Sequence, residues 1–207
     1  MRVVTPKLLQ MPFGLMSNRP HYHLKNNFLI LTLFLTGSVF FTSCEPMEPG
    51  VENPGEIITT IVYTLTDMNG NTAVLSVVDL DGDGAVDPVF TLDPLTSNTT
   101  YTGTIEFRND NENENITEEI QDEDEDHQIF YESTIDGILV AYNDQDADGN
   151  PVGLTTTLTT GDAGSGSITI TLRHEPVKDA AGVSDGNIAN AAGDTDIEVI
   201  FTGVTVQ

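Results

Sequence analysis

Apolar and polar residues alternate from residue 57 onward, and a period of two predicts β-strands. Every second residue of the first run lies on one face and is suited to a sheet interior: Ile57, Thr59, Ile61, Tyr63 and Leu65. Asn69-Gly70 follows, a pair suited to the positive φ angles of a tight hairpin turn. The alternation then resumes with Ala73, Leu75 and Val77. We therefore predict a β-hairpin at the beginning of the domain.

Further runs rich in Thr, Ile, Val and Tyr follow, separated by Gly and Asp. They cover residues 100–107, 127–133, 138–142, 154–159, 167–174 and 197–206. Short strands at this spacing are typical of sandwiches. The predicted fold class is all-β, an Ig-like or Greek-key β-sandwich of about eight or nine strands.

Two local features modify this pattern. In the last run the inward-facing positions change parity across Thr202-Gly203, which predicts a β-bulge at Gly203. The one helical pattern covers residues 115–120, where Asn115 is suited to cap a helix and Glu118 to answer it from the third position. This segment predicts a helix of one or two turns.

The N-terminal segment differs from the rest of the chain because residues 1 to 44 contain no Asp or Glu. The apolar run from Phe28 to Phe41 is too short to span a bilayer as a helix and is typical of a signal peptide. It ends just before Cys44, in a sequence that resembles a lipobox, where a cysteine is diacylated and becomes the first mature residue. We predict a lipoprotein signal peptide over residues 1–43 and lipidation of Cys44. The alternatives are an incidental thiol and a start at Met16.

Residues 44–56 are rich in Pro, Gly and Glu, which predicts a disordered tether after the lipidated cysteine. Residues 57–207 are enough for one domain with its own core. Cys44 is the only cysteine, so no disulfide is predicted in that domain.

Acidic residues dominate the predicted mature chain. All 33 Asp and Glu residues follow Cys44, whereas only three basic residues do: Arg108, Arg173 and Lys178. Such a charge repels nucleic acid and anionic membrane surfaces. It favours cations and basic surfaces, and it also keeps an exported protein soluble. We predict no nucleic-acid partner.

Two loops share the pattern D-x-D-x-D-G, in which alternate carboxylates followed by Gly can wrap calcium. The first contains Asp79, Asp81, Asp83 and Asp87, and the second contains Asp144, Asp146 and Asp148. Position twelve is Phe90 in the first loop and Thr155 in the second, so both lack the bidentate Glu of an EF-hand. The alternative is that Asp and Gly simply form turns between strands.

His127 and His174 form the second candidate site. Each falls in register with the apolar face of its strand, and one begins its strand where the other ends its own. If these strands are antiparallel neighbours, or face each other across the sandwich, the two rings meet. Asp126 and Glu175 are the carboxylates we predict to complete a site for zinc or another transition metal. The alternative is that each imidazole caps the core without metal.

Motifs of catalysis are missing from the sequence. It contains no HExxH, no phosphate-binding loop and no cysteine nucleophile, and it has no Trp to line a sugar-binding cleft. We predict that the chain is not an enzyme. A hydrolase with paired carboxylates is the alternative from this class.

Four strings together carry a family resemblance: DEDHQIFY, YNDQDADGNPVGL, TLRHEP and GVSDGNIANAAGDTDIEVIF. Over nearly all of residues 44–207 the chain resembles a family of uncharacterised lipoproteins from marine and soil Bacteroidota. Members are often labelled type 1 periplasmic binding fold proteins, a fold that is α/β with two lobes, whereas this chain has the pattern of strands. The resemblance implies an envelope binding protein that serves an outer-membrane uptake receptor. His127 and His174 lie within these strings.

The predicted function is that of a binding module for a metal or other cation in the cell envelope. The lipid on Cys44 is predicted to anchor it to the outer membrane, at the periplasmic face or the cell surface. A structural or adhesive surface module without a small ligand is the alternative.

Overall fold

The computed structural model describes residues 57–82, 84 and 86–207. Cys44, the predicted signal peptide and the predicted tether lie outside the described residues. In the described part the strands are β1 (Thr60–Asp67), β2 (Thr72–Val78), β3 (Val89–Leu92), β4 (Thr100–Arg108), β5 (His127–Ser133), β6 (Leu139–Tyr142), β7 (Thr155–Thr159), β8 (Gly164–His174) and β9 (Asp194–Val206). Helix α1 (Ile116–Asp122) precedes β5, and a 3-10 helix (Ile188–Asn190) precedes β9. No helix of this part is long and apolar enough to cross a membrane.

The predicted hairpin is confirmed as β1 and β2, which pair antiparallel. The inward-facing residues of both strands that the alternation predicts from Ile61 onward are buried, whereas Ile57 lies before β1 and is 64% exposed. Of the predicted Asn-Gly pair only Gly70 takes a positive φ, at 83°. The Asp67 carboxylate accepts the backbone N–H groups of Asn69 and Asn71 at 2.7 and 2.9 Å, so a side chain also stabilises this turn.

The strands form two sheets, one in the order β3-β2-β1-β4-β7-β6 and the other in the order β5-β8-β9. All of the pairs between these strands are antiparallel. Within the larger sheet, β4 returns beside β1 to give the order β4-β1-β2-β3, which is a Greek key. The predicted all-β sandwich of about nine strands is therefore confirmed.

The core lies between the two sheets. The rings of Tyr63 on β1 and Tyr131 on β5 pack across it with centroids 5.2 Å apart. Ile116 and Ile120 of α1 are buried in the same apolar cluster, so the short predicted helix also contributes to the core. Because burial removes water from the phenol, the pKa of Tyr63 rises to about 12, although Thr156 hydrogen-bonds its hydroxyl at 2.7 Å.

Two β-bulges interrupt the pairing of β8 with β9. Gly166 pairs with Val204 and Ser167 with Thr202, so Gly203 is an extra residue, with φ 91°. This confirms the bulge predicted from parity. The second bulge was not predicted: Leu172 pairs with Ile197 and Arg173 with Thr195, which leaves Asp196 as the extra residue.

The connection between β8 and β9, residues 175–193, covers the outer face of the smaller sheet. Phe130 of β5 is fully buried there against Val183 and Ala191. Gln128 Nε2 donates a hydrogen bond to the Val183 carbonyl at 2.9 Å. The first four residues of β5, His127 to Phe130, are therefore buried on both faces.

Candidate metal centre

The pairing of β5 with β8 places His127 directly opposite His174. The strands are antiparallel neighbours, so the beginning of one meets the end of the other, as predicted. His127 is fully buried and His174 is partly buried. The ring centroids are 4.7 Å apart at an interplanar angle of 84°. The predicted approach of the two imidazoles is therefore present in the structure.

A backbone carbonyl fixes the orientation of His127. Its Nδ1 lies 3.1 Å from the Glu123 carbonyl oxygen. Because that oxygen can only accept, Nδ1 carries a proton, and in the neutral ring Nε2 is the nitrogen that carries a lone pair. Nε2 in turn lies 3.1 Å from Nδ1 of His174. The nitrogen at the centre of the cluster is thus a base and a potential metal ligand.

Asp196 on β9 supplies the third group. Its Oδ2 lies 3.8 Å from His127 Nε2, and its side chain is only 8% exposed. A bulge places two residues of one strand opposite one of its partner and re-aims the extra side chain. Asp196 is that extra residue. One potential ligand atom from each of His127, His174 and Asp196 lies within 4.8 Å of the others.

The two predicted carboxylate ligands lie outside this group. Asp126 and Glu175 are both exposed, and among the described residues the converging set contains Asp196 instead. Each is a direct neighbour of a site histidine in the chain, and successive side chains of a strand point to opposite faces. Their backbones meet, since Glu175 N–H donates to the Asp126 carbonyl at 2.7 Å.

The second Asp-rich loop has the internal partners expected of a turn. Asp144 accepts the backbone N–H groups of Gly153 and Thr155 at 2.8 and 2.9 Å. Asp146 is buried and lies 2.9 Å from the ammonium of Lys178, whereas Asp148 is exposed. In this loop the Lys178 ammonium thus lies beside Asp146, in the place that a bound calcium ion would take.

The first Asp-rich loop is only partly described, because Asp83 lies outside the described residues. Asp81 Oδ2 accepts the Val86 N–H at 3.1 Å, Asp79 is partly buried and Asp87 is exposed. Among the described residues these carboxylates do not join a converging set of three. Calcium binding here stays a prediction.

The donor set of the histidine cluster suits a transition metal. Calcium takes six to eight oxygen ligands, whereas imidazole nitrogens with a carboxylate are typical of zinc and its neighbours. Two ligands about 2.0–2.1 Å from a tetrahedral zinc lie roughly 3.3–3.4 Å apart. The 3.1 Å between the two nitrogens is close to that spacing, and the 3.8 Å to Asp196 requires a small movement.

No protein family, curated protein or solved structure matches the chain. Function is therefore inferred from the residues of this cluster and their surroundings.

Proposed function

We propose that the chain is an envelope lipoprotein that binds a transition metal, with zinc as the leading ion, through His127 Nε2, His174 Nδ1 and one oxygen of Asp196. The observation that carries the proposal is that three strands bring one ligand atom from each of these residues within 4.8 Å of the others. Three protein ligands leave a fourth position of zinc for water or a ligand. We therefore propose that the protein binds zinc reversibly, so that it can take up or deliver the ion.

The environment of His127 supports this proposal. Metal-binding histidines usually donate their second N–H to a carbonyl or carboxylate, which fixes the ring and its tautomer. His127 Nδ1 has such a partner in the Glu123 carbonyl. The lone pair of Nε2 is therefore directed at the cluster before any metal arrives.

Metal and proton compete for the two facing nitrogens. With His127 Nε2 as acceptor, the 3.1 Å contact requires Nδ1 of His174 to donate its hydrogen. A metal needs both lone pairs, so His174 must adopt the tautomer that carries its proton on Nε2. Because protons compete with a metal for its ligands, we expect zinc affinity to fall as the pH drops.

Exposed carboxylates flank the proposed ligands in the chain and support capture of a cation. Asp126 precedes His127, Glu175 follows His174, and Asp194 lies two residues before Asp196; all three flanking residues are exposed. A surface of one charge sign raises the local concentration of counter-ions, and salt screens the effect. We expect zinc association to slow as ionic strength rises.

The location follows from the proposed lipid on Cys44. A diacylated cysteine would hold the domain at the outer membrane, where an uptake receptor is the proposed partner. Mass spectrometry of the protein from membranes tests this directly, because the proposal requires a lipid-modified Cys44 at the N-terminus. Cys44→Ser should release the protein from the membrane. A wild-type protein that starts before Cys44 with a free thiol would contradict the anchor.

Zinc titration of the purified full-length protein against a chromophoric chelator tests the metal site. His174→Ala and Asp196→Asn each remove one proposed ligand, and we expect each to weaken binding by more than about tenfold. Glu132→Gln and Asp136→Asn are matched controls, because each neutralises an exposed carboxylate that has no part in the cluster or in its flanking charges. They should bind as the wild type does, within about twofold by the additivity of distant surface changes.

The same titration separates the proposal from the structural or adhesive alternative. A metal-binding protein gains stability from zinc by mass action, whereas a module without a small ligand keeps the same melting temperature. Wild-type protein without zinc affinity, or ligand variants that bind as the controls do, would contradict the proposed function.

A further inference from the structure

The turn between α1 and β5, residues 123–126, is hydrogen-bonded to His127, one of the proposed metal ligands. Its Glu123 carbonyl accepts two hydrogen bonds, from Asp126 N–H at 3.0 Å and from His127 Nδ1 at 3.1 Å. The Asp124 carbonyl accepts from the ammonium of Lys178. Together with the Glu175–Asp126 backbone contact, this means that the turn before one histidine is held by residues that follow the other.

Lys178 is itself held firmly. It is buried to 5% exposure, and its Nζ lies 2.9 Å from Asp146 Oδ2. The other oxygen of Asp146 accepts the N–H groups of Asp148 and Asn150 at 3.1 and 2.8 Å. Burial raises the pKa of the Asp146 carboxyl, but Lys178 and these amides lower it by more, so the pKa of Asp146 lies below its ordinary value.

We propose that Lys178 is a positioning residue for the metal site, which holds the 123–126 turn so that the Glu123 carbonyl keeps the His127 ring in its metal-binding orientation. The inference rests on the proposed function and adds a role for the second Asp-rich loop. Asp146 anchors the ammonium, the ammonium anchors the turn, and the turn orients the ring. The D-x-D-x-D-G pattern of this loop thus serves the transition-metal site through an internal cation.

Loss of Lys178 should weaken zinc binding although all three proposed ligand residues remain. Without the ammonium, the Asp124 carbonyl loses its partner and the turn can relax, so that His127 samples other orientations and the second tautomer. Groups that orient a metal ligand typically contribute about 10- to 100-fold in affinity. We expect Lys178→Met to weaken zinc binding by about tenfold or more.

The test compares three variants of the full-length protein with the wild type. Lys178→Met removes the ammonium, and Asp146→Asn is a milder change that leaves the ammonium without its carboxylate partner. Leu75→Ala is the stability control, because Leu75 is fully buried on β2 in the other sheet. Zinc affinity is measured below the melting temperature of each protein, and the visible absorption of bound cobalt reports the coordination geometry.

A positioning role requires Lys178→Met and Asp146→Asn to weaken zinc binding and to alter the cobalt spectrum, while Leu75→Ala lowers the melting temperature and leaves both unchanged. Wild-type affinity and spectrum in folded Lys178→Met and Asp146→Asn would overturn the inference and leave the metal site standing. A wild-type protein that binds neither metal would overturn the proposed function, and this inference with it.

Discussion

The Lys178–Asp146 pair predicts a large loss of stability when either partner is removed alone. The two side chains are 5% and 1% exposed, so Lys178→Met leaves a carboxylate buried without its counter-ion. Breaking a buried pair in this way typically costs about 3–5 kcal/mol. We expect the lower end, about 3 kcal/mol, because Asp146 keeps two backbone N–H donors. At roughly 2–4 °C per kcal/mol, the melting temperature should fall by about 6–12 °C.

Urea unfolding followed by circular dichroism, with a chelator present to exclude metal, measures this loss. The double variant Lys178→Met with Asp146→Leu replaces the pair with apolar side chains and should recover most of the lost stability, since a buried pair seldom outperforms packed apolar residues. A loss below about 1 kcal/mol in Lys178→Met would contradict this prediction, because it would show that the pair contributes no more than a solvent-exposed one.

The pH dependence of the same pair has a defined sign. The pKa of Asp146 in the folded protein lies below its ordinary value of 3.8. The stability that its ionised form contributes is therefore complete above 3.8 and is lost as the pH falls through the lower folded-state pKa. The stability difference between the wild type and Asp146→Asn should shrink in that window. A difference that grows on acidification would contradict this assignment.

Three further predictions concern other parts of the fold. Burial raises the pKa of Tyr63 and Tyr142 to about 12 and raises that of Tyr131 well above its ordinary value of 10, so absorbance at the phenolate band should show that these three ionise only above that value. The stability that Tyr63 and Tyr142 contribute in their neutral form should be lost as the pH rises through 12. Gly203→Ala should cost about 1–2 kcal/mol in urea unfolding, because φ is 91° and open space surrounds the added methyl group, which leaves backbone strain as the only penalty. Millimolar calcium should raise the melting temperature through the first Asp-rich loop, so Asp81→Asn should abolish the shift; an unchanged wild-type midpoint would remove that loop as a calcium site.

Structural features that depend only on a short stretch of sequence could be predicted. The hairpin follows from alternation and one glycine, and the bulge at Gly203 follows from a parity change at a residue that tolerates positive φ. The helix was also predictable, because Ile116 and Ile120 recur at a helical spacing and are both buried. Asn115 departs from the predicted capping box: its side chain donates to Glu118 instead of capping a backbone N–H.

Strand β3 was not predicted, and its burial explains why. It has four residues at the edge of the larger sheet, and three of them are exposed. A strand with little buried surface has no apolar alternation to reveal it. Its place is set by pairing with β2 and by the ring of Phe90, which packs edge to face on Phe201 with centroids 6.0 Å apart.

The metal cluster was half predictable for a similar reason. Strand parity and strand ends bring His127 to His174 once the two strands are neighbours. Asp196 carries no such signal, because counting from Ile197 places it on the opposite face of a regular strand. The bulge opposite Leu172 and Arg173 makes Asp196 an extra residue and so changes the face to which its side chain points. This bulge contains no glycine that would mark it in the sequence. Adjacency in the chain therefore predicts Asp126 and Glu175, the direct neighbours of the histidines, as the carboxylate ligands.

Anomalous diffraction at the zinc edge from zinc-loaded crystals shows directly whether the ion lies between the two histidines. We expect one peak within about 2.0–2.2 Å of His127 Nε2, His174 Nδ1 and an oxygen of Asp196, with the Glu123 carbonyl still hydrogen-bonded to Nδ1 of His127. A map without density between the two histidines, or with zinc held only by the Asp-rich loops, would contradict it.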